Sequence, residues 1–224
     1  KQLFPEAIRL RVNLCTFIKF SKDVTVVIKE SVPLYEKSSI DEYYIELTGM
    51  DKFFGCHMLA SELRQRIIKE TGLPISFGLS INKTVSKVAT GEAKPNNEIR
   101  ILKGEEKPFL APLSVRKIPM VGEVTYKSLC DLGIKQIKTV QEMPMQLMHK
   151  VFGKNGLSIW KKANGIDNSP VVQYHERKSI STERTFDKDT TDVNKLKNII
   201  IAMAENLAFQ LRRGNKLTAC ILLK

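Results

Sequence analysis

Two adjacent carboxylates, Asp41 and Glu42, stand between two short segments rich in apolar and aromatic residues. Residues 34–36 and 43–47 predict two strands, so both acids would lie at or just after a hairpin turn. Neighbours in mid-strand point to opposite faces, but a turn twists the backbone enough for the two carboxylates to converge. Converging carboxylates suit Mg²⁺, which prefers oxygen ligands and keeps waters that substrate phosphates can replace. The alternative is a solvated pair of acids on a turn.

A second group of candidate residues is basic. Residues 78–83 run from a predicted strand into a helix that Asn82 caps, and Lys87 and Lys94 follow. Ammonium groups held in this way can lie near a polyphosphate, where lysine acts as a compact point charge. The alternative for Lys83 and Lys87, which are four residues apart on a short helix, is that they form its solvated face.

Residues 118–134 predict a helix-hairpin-helix, in which a tight turn directs backbone N–H groups to a DNA phosphate without reading the bases. The predicted phosphate-binding residues are Val121 and Gly122. Met120 precedes them at the position where a first glycine is typical of this motif. The alternative is an ordinary pair of antiparallel helices in a helical domain.

A fourth candidate segment, rich in hydroxyl groups and with one arginine, lies at 179–186. Alternate residues of a strand share one face, so hydroxyl groups there could contact successive phosphates. The candidate DNA-binding residues are Ser179, Ser181, Arg184 and Thr185. The alternative is an ordinary edge strand.

Alternating helices and strands must position the carboxylates and the lysines. This order, with one antiparallel pair, predicts a small α+β sandwich of the ferredoxin-like kind, with helices on one face and the other face open. Gly72 is the expected end of the second helix. The predicted elements are a helix at 12–30, strands at 34–36 and 43–47, a helix at 58–71, a strand at 75–81, a helix after Asn82, and a strand at 99–102.

The composition changes after this first region. Prolines and then short helices separated by glycines predict a small all-helical domain over 105–170. A linker leads to a last unit with a strand at 179–186, a helix at 192–213 and a strand at 217–223. A strand–helix–strand unit has too little core to be stable alone, so we expect the sequence to be a piece of a longer protein.

The net charge is +12, from 36 Lys and Arg against 24 Asp and Glu, which favours a polyanionic partner and nucleic acid first. No apolar segment approaches the roughly 20 residues of a membrane helix, so no membrane partner is expected. The four cysteines are scattered without a CxxC pair. This pattern argues against a disulfide framework or a structural zinc site and favours a cytoplasmic location.

Three motifs in order resemble the palm of Y-family (translesion) DNA polymerases, with the bacterial DNA polymerase IV branch nearest. They are Ser-Ile-Asp-Glu at 39–42, Gly-x-Ser-x-Asn-Lys-x-x-x-Lys-x-Ala from Gly78, and Lys-Pro-Asn at 94–96. Asn97 follows where the family has glycine. The thumb of that family is similar to the segment Lys-Ile-Pro-Met-Val-Gly at 117–122. The opening strand of its little finger domain is similar to residues 178–186.

The resemblance implies a partial palm over 1–104, a thumb with a helix-hairpin-helix over 105–170, a linker at 171–178, and the start of the little finger over 179–224. The family's first catalytic aspartate and its fingers would precede this sequence. A fragment without them is expected to be inactive alone.

The resemblance also implies template-directed DNA synthesis past damaged bases. Asp41 and Glu42 would be two of three carboxylates that bind two Mg²⁺ ions, and Lys94 would contact the triphosphate of the incoming nucleotide. The expected partners are primer-template DNA and deoxynucleoside triphosphates, with a sliding clamp as a further partner through regions outside this sequence.

Two other functions are compatible with parts of the pattern. One is a non-catalytic helix-hairpin-helix DNA-binding module, which would need no metal. The other is a nucleotide cyclase, which can share the ferredoxin-like palm but is disfavoured because no Gly-Gly-(Asp/Glu)-Glu-Phe hairpin occurs; residues 39–43 are Ser-Ile-Asp-Glu-Tyr. A DNA-binding module would not depend on a metal, whereas a polymerase would. A nucleotide cyclase would not need a primed template, whereas a polymerase would.

Overall fold

The computed structural model describes residues 4, 6–8, 10, 12–50, 55–174 and 176–223. The chain divides into two units, residues 1–173 and 174–224. Among the described residues, no helix has the length and apolar character needed to cross a membrane.

The first part of unit 1 alternates helices and short strands. Asn13 caps α1 by accepting a hydrogen bond from the Thr16 N–H, and α2 ends at Gly72, which has a left-handed φ of 70°. Asn82 caps α3 through the Val85 N–H, as the sequence predicts. The elements are α1 (Leu14–Ser31), β1 (Tyr35–Lys37), β2 (Tyr43–Ile45), α2 (Cys56–Thr71), β3 (Phe77–Leu79), α3 (Lys83–Ala93) and β4 (Glu98–Arg100).

The rest of unit 1 is helical, which confirms the predicted change of structure after residue 105. The longest helix of this part is kinked at Gly153, where φ is 60° and ψ is −143°. The elements are α4 (Glu106–Leu110), a 3₁₀ turn (Val115–Lys117), α5 (Glu123–Asp131), α6 (Ile137–Glu142) and α7 (Met145–Ala163).

The strands confirm the predicted hairpin but do not join into one sheet. β1 and β2 are antiparallel, with Glu36 opposite Tyr44, and β3 and β4 are parallel, with Gly78 opposite Ile99. A further strand between the two pairs would be needed to form one open ferredoxin-like sheet, and no described residue provides it. The α+β class is observed, whereas the single sheet face expected from the sequence is not formed by the described strands.

Two hydrophobic clusters stabilise unit 1, and α3 belongs to the larger one. The smaller cluster joins α1, α2 and the hairpin around Ile28 and Ile67. The larger one joins α3 to the helical part of the chain, and its most buried members include Val85, Leu110 and Ile137. The helix that carries Lys83 and Lys87 is therefore fixed by its apolar side to the core.

Gly78 permits the close contact between α3 and β3. A Cβ atom at this position would lie 2.4 Å from the Ser86 carbonyl oxygen and 2.5 Å from the Ala89 Cβ. The Gly78 N–H donates to the Thr90 hydroxyl at 2.8 Å, which adds a polar contact to the same interface. Glycine is required here because the helix lies directly on the strand backbone.

Unit 2 contains α8 (Val193–Arg213), which Asp192 caps and after which Gly214 follows, as predicted. The predicted strands at 179–186 and 217–223 are wrong, because neither segment forms a β-ladder in the described chain. A strand persists only where a neighbouring strand satisfies its backbone groups, and these two segments do not pair with each other. None of the residues of α8 is buried, and Phe209 is 60% exposed.

Candidate active site

The hairpin turn holds Asp41 and Glu42 where the sequence predicts them. The N–H groups of Ser38 and Ser39 donate to the Glu42 carbonyl oxygen at 2.9 and 3.3 Å, which closes the turn. The Ser39 hydroxyl donates to the Asp41 Oδ1 at 2.6 Å. Asp41 is therefore an exposed carboxylate oriented by its own turn, and Glu42 directly precedes β2.

Lys87 of α3 reaches the carboxylate of Glu42. Its Nζ lies 2.7 Å from both Oε1 and Oε2, and the two side chains are 38% and 44% exposed. Burial lowers the pKa of Lys87, but the hydrogen bond to Glu42 and the neighbouring Tyr44 and Asp41 raise it more, so the net pKa is raised. Lys87 stays charged and neutralises one of the two acids.

Lys83, one helical turn earlier, pairs with a different carboxylate of the hairpin. It forms an ion pair with Glu36 of β1, and the two side chains are only 15% and 12% exposed. Glu36 also accepts from the Val172 N–H at 2.8 Å, and the Lys83 Nζ lies 5.1 Å from the centre of the Tyr44 ring. The solvated helix face considered as the alternative for these two lysines is wrong for Lys83.

Tyr44 lies between the two ion pairs. Burial raises the pKa of its phenol, and the positive charge of Lys87 lowers it, with a net rise. Its hydroxyl therefore stays protonated at neutral pH. The ring lies near the Lys83 ammonium, and the phenol interacts with the charges of Lys87 and Glu42.

Asp167, from the segment after α7, caps the start of α3. It accepts from the Thr84 N–H at 3.1 Å and from the Thr84 hydroxyl at 2.7 Å, while the Asn82 amide donates to the Gly165 carbonyl at 2.8 Å. Burial raises the pKa of Asp167, but hydrogen bonds from Ser169 and Thr84 lower it more. No local pattern indicates the role of this residue, because Asp167 and Thr84 are far apart along the chain.

Lys94 lies at the other end of α3, away from the carboxylates. It is exposed and directly follows the last helical residue. At about 1.5 Å of rise per residue, roughly 10 Å of helix axis separates it from Lys87. Within the described residues it has no ion pair.

The predicted helix-hairpin-helix turn precedes α5. The Val121 N–H donates to the Ile118 carbonyl at 3.0 Å, and the Gly122 N–H donates to the Met120 carbonyl at 3.2 Å. Both predicted phosphate donors thus have an acceptor inside the turn, whereas the amides of the first turn of α5 precede the first intrahelical hydrogen bond, from the Tyr126 N–H to the Gly122 carbonyl. Met120, in place of the first glycine, has a φ of 78° and is 81% exposed.

The four candidates of unit 2 lie on its surface. Ser179, Ser181, Arg184 and Thr185 are all exposed. Arg184 and Thr185 line a groove of about 400 Å³ against α8, together with Phe186 and Met203. Because the segment is not a strand in this structure, the predicted row of alternating hydroxyl groups is not formed.

Asp41 and Glu42 are the donors available for a metal ion at the hairpin. In the part of the chain that the structure describes, no group of three or more His, Cys, Asp or Glu side chains could hold a metal. The carboxylates of Asp41 and Glu42 are hard oxygen donors of the kind that Mg²⁺ prefers, and both Glu42 oxygens also accept from the Lys87 ammonium.

Two models of one family match the chain. The model described as the impB/mucB/samB family matches residues 1–91. The model of the impB/mucB/samB family C-terminal domain matches residues 177–224. The first matched region includes the hairpin with Asp41 and Glu42, and the second includes all of α8.

Curated relatives match over most of the chain. The DNA polymerase IV of Dehalococcoides mccartyi is 33% identical over 100% of this chain and 58% of its own length. The DNA polymerase IV of Clostridium acetobutylicum is 33% identical over 90% of this chain and 51% of its own length. The chain spans a little over half the length of these relatives.

Solved structures agree with the sequence matches. The crystal structure of DinB from Sulfolobus solfataricus has a TM-score of 0.67 and 26% identity, and the match covers 76% of this chain and 51% of that chain. An insertion ternary complex of Dbh DNA polymerase matches with a TM-score of 0.67 and 26% identity over 76% of this chain and 50% of that one.

These matches confirm the predicted fold class, a partial palm with a helical thumb. The named relatives form one class, the DNA polymerases. The chain belongs to the impB/mucB/samB family, and the resemblance of its motifs to Y-family DNA polymerases is confirmed.

Proposed function

We propose that the whole protein is a translesion DNA polymerase, which copies a template past damaged bases. In this proposal residues 1–104 are palm, 105–170 thumb, 171–178 linker and 179–224 the start of the little finger. The observation that carries the proposal is the hairpin turn, which presents Asp41 and Glu42 beside the lysine face of α3. A buried ion pair between Lys83 and Glu36 keeps the hairpin and the helix together.

In the proposed mechanism Asp41 and Glu42 hold Mg²⁺, two ions in the whole enzyme. Bound there, the metal would supply positive charge for activation of the primer 3′-hydroxyl and for departure of the pyrophosphate. Ser39 orients the Asp41 carboxylate, and Lys87 holds Glu42 while it balances its charge. The work of these residues is therefore positioning and charge neutralisation, which is what nucleotidyl transfer requires of a protein.

Lys94 is the proposed contact to the triphosphate of the incoming deoxynucleotide. Its ammonium is exposed and, within the described residues, has no carboxylate partner. Lys83 and Lys87 of α3 are already paired with Glu36 and Glu42, whereas Lys94, directly after the helix, is open to a phosphate. A charge-assisted contact of this kind is stronger than a neutral hydrogen bond.

The DNA-binding surface of the proposal is electrostatic. The first turn of α5, which directly follows Val121 and Gly122, would contact duplex phosphates, and so would the residues of unit 2. A sliding clamp would bind through regions outside residues 1–224, and the cytoplasm is the proposed location. The proposed phosphate contacts of unit 2 are Ser179, Ser181, Arg184 and Thr185.

Primer extension by the whole protein tests the proposal. Asp41→Asn and Glu42→Gln should each reduce extension with Mg²⁺ at least about 100-fold, because a bound metal supplies several kcal/mol of charge stabilisation. Glu46→Gln on the same hairpin is the matched control, since its carboxylate accepts only from Thr48 among the described contacts. Residues 1–224 alone are not expected to extend a primer. Metal-independent DNA binding without synthesis by the whole protein would favour the DNA-binding module instead.

A further inference from the structure

Arg64 on α2 contacts the loop that follows α3, although it belongs to none of the motifs. Its Nη2 donates to the Asn96 carbonyl at 2.6 Å and to the Asn96 Oδ1 at 2.8 Å. Its Nε donates to the Ile75 carbonyl at 2.8 Å. With a side chain only 16% exposed, the guanidinium joins α2, the start of β3 and the Lys-Pro loop.

The third side of the guanidinium faces a carboxylate that is itself held in place. Arg64 Nη1 lies 4.0 Å from the Glu98 Oε2, and the Glu98 Oε1 accepts from the Ser61 hydroxyl at 2.7 Å. His57 Nε2 lies 3.3 Å from the same Oε1. Because acceptors lie on each edge of the planar group, Arg64 has one well-defined orientation.

The loop has a backbone conformation that this arginine can stabilise. Asn96 has a φ of 47°, and Asn97 is not among the residues with positive φ. Asparagine tolerates the left-handed region, so the missing glycine at 97 does not prevent this turn. The Asn97 carbonyl accepts from the Phe77 N–H at 3.3 Å, which ties the end of the loop to β3.

We propose that Arg64 is a positioning residue for the nucleotide. It holds the loop at 94–97 so that the Lys94 ammonium meets the triphosphate, and it does so without touching the substrate. The inference rests on the proposed function, in which Lys94 binds the nucleotide. Lysine cannot replace Arg64, because one ammonium does not reach the Ile75 and Asn96 carbonyls together in the geometry of a guanidinium.

Steady-state insertion of one nucleotide by the whole protein on a primed template tests this role. Arg64→Gln should raise the KM for the nucleotide about 10-fold, with kcat and the DNA Kd within about 2-fold, since a misplaced binding group costs one charge-assisted contact. Arg64→Lys should not restore the KM. Arg66→Gln on the same helix is the matched control, because Arg66 pairs with Glu30 and Glu70 and not with the loop. An unchanged KM in Arg64→Gln would overturn the inference.

A double variant separates positioning from a general effect on the fold. If Arg64 acts through Lys94, Arg64→Gln combined with Lys94→Ala should have the KM of Lys94→Ala alone. Multiplied losses would instead show a structural role and contradict the inference. If Lys94→Ala leaves the KM unchanged, the proposed nucleotide contact fails, and the Arg64 inference fails with it.

A milder variant keeps the test valid if Arg64→Gln does not fold. Asn96→Gly retains the positive φ and removes only the Oδ1 acceptor of Arg64. It should raise the KM about 3-fold, less than the loss of a full charge-assisted bond. No rise in KM, in a variant with unchanged thermal stability, would overturn the inference.

Discussion

Lysines of two successive sequence motifs lie along α3 and directly after it, and they are held in different ways. Within the helix, Lys83 and Lys87 are paired with Glu36 and Glu42 of the hairpin. After the helix, Lys94 is exposed and stands on a loop that α2 fixes. The three residues are all lysines, so their different roles follow from position. A lysine that faces the hairpin pairs with a carboxylate, whereas the lysine beyond the end of the helix is open to a phosphate.

Loss of the ion pair between Lys83 and Glu36 should cause the largest decrease in the free energy of unfolding. Lys83→Met removes the ammonium that pairs with the 12%-exposed Glu36 side chain, and breaking an ion pair that is this little exposed should cost up to roughly 3 kcal/mol. Lys87→Met on the same face is the matched control, because an ion pair exposed at 38% and 44% contributes about 1 kcal/mol or less. Urea unfolding of both variants measures the difference. Equal losses in the two variants would contradict the distinction between a buried and an exposed pair.

Replacement of Lys94 should strongly reduce nucleotide use and change the free energy of unfolding little. Lys94→Ala in the whole protein should weaken nucleotide use about 10- to 150-fold, which corresponds to one charge-assisted contact of roughly 1.5–3 kcal/mol. Duplex DNA binding should stay nearly unchanged, as a fluorescence titration with a labelled duplex would show. An equal loss of DNA affinity would make Lys94 a duplex-binding residue instead.

Replacement of Asp167, which caps the start of α3, should cause a smaller loss of stability, and this loss should depend on pH. The folded-state pKa of Asp167 is lowered below its ordinary value of 3.8, so its stabilisation is present above that pH and is lost as the pH falls below it. Asp167→Asn should therefore cost about 1 kcal/mol at pH 7, as expected for a helix cap, and less at pH 3, where part of that stabilisation is lost. Denaturant unfolding of wild type and variant at both pH values measures this, with the exposed Asp23→Asn as control. A constant difference across the two pH values would contradict the account.

The DNA-binding surface should give a graded effect of salt. Because the proposed contacts are to phosphates, the logarithm of the binding constant should fall with the logarithm of salt, at about −0.9 per phosphate contacted on duplex DNA. A slope of a few units is expected from the proposed thumb and the first part of the little finger. Binding isotherms on random duplexes at several salt concentrations measure the slope. A flat dependence, or a strong preference for one sequence, would argue against phosphate contacts.

Local features of unit 1 could be predicted from the sequence, while its long-range contacts could not. The Asn82 cap, the Gly72 end of α2 and the hairpin depend on neighbouring residues, and all three are confirmed. The partners of Lys83 and Asp167 lie far along the chain, so no local spacing indicates them. The strands predicted in unit 2 are wrong, because a strand depends on a distant partner for its hydrogen bonds and these segments do not pair with each other.

Binding of a metal ion by Asp41 and Glu42 together is tested most directly by a Mn²⁺ titration of residues 1–224. Electron paramagnetic resonance of free Mn²⁺ would compare wild type, the Asp41→Asn/Glu42→Gln double variant, and Glu46→Gln as the matched hairpin control. We expect weak binding by wild type and Glu46→Gln, and its loss in the double variant, because two hard carboxylates with retained waters hold the ion. Indistinguishable binding by wild type and the double variant would contradict the assignment of the site.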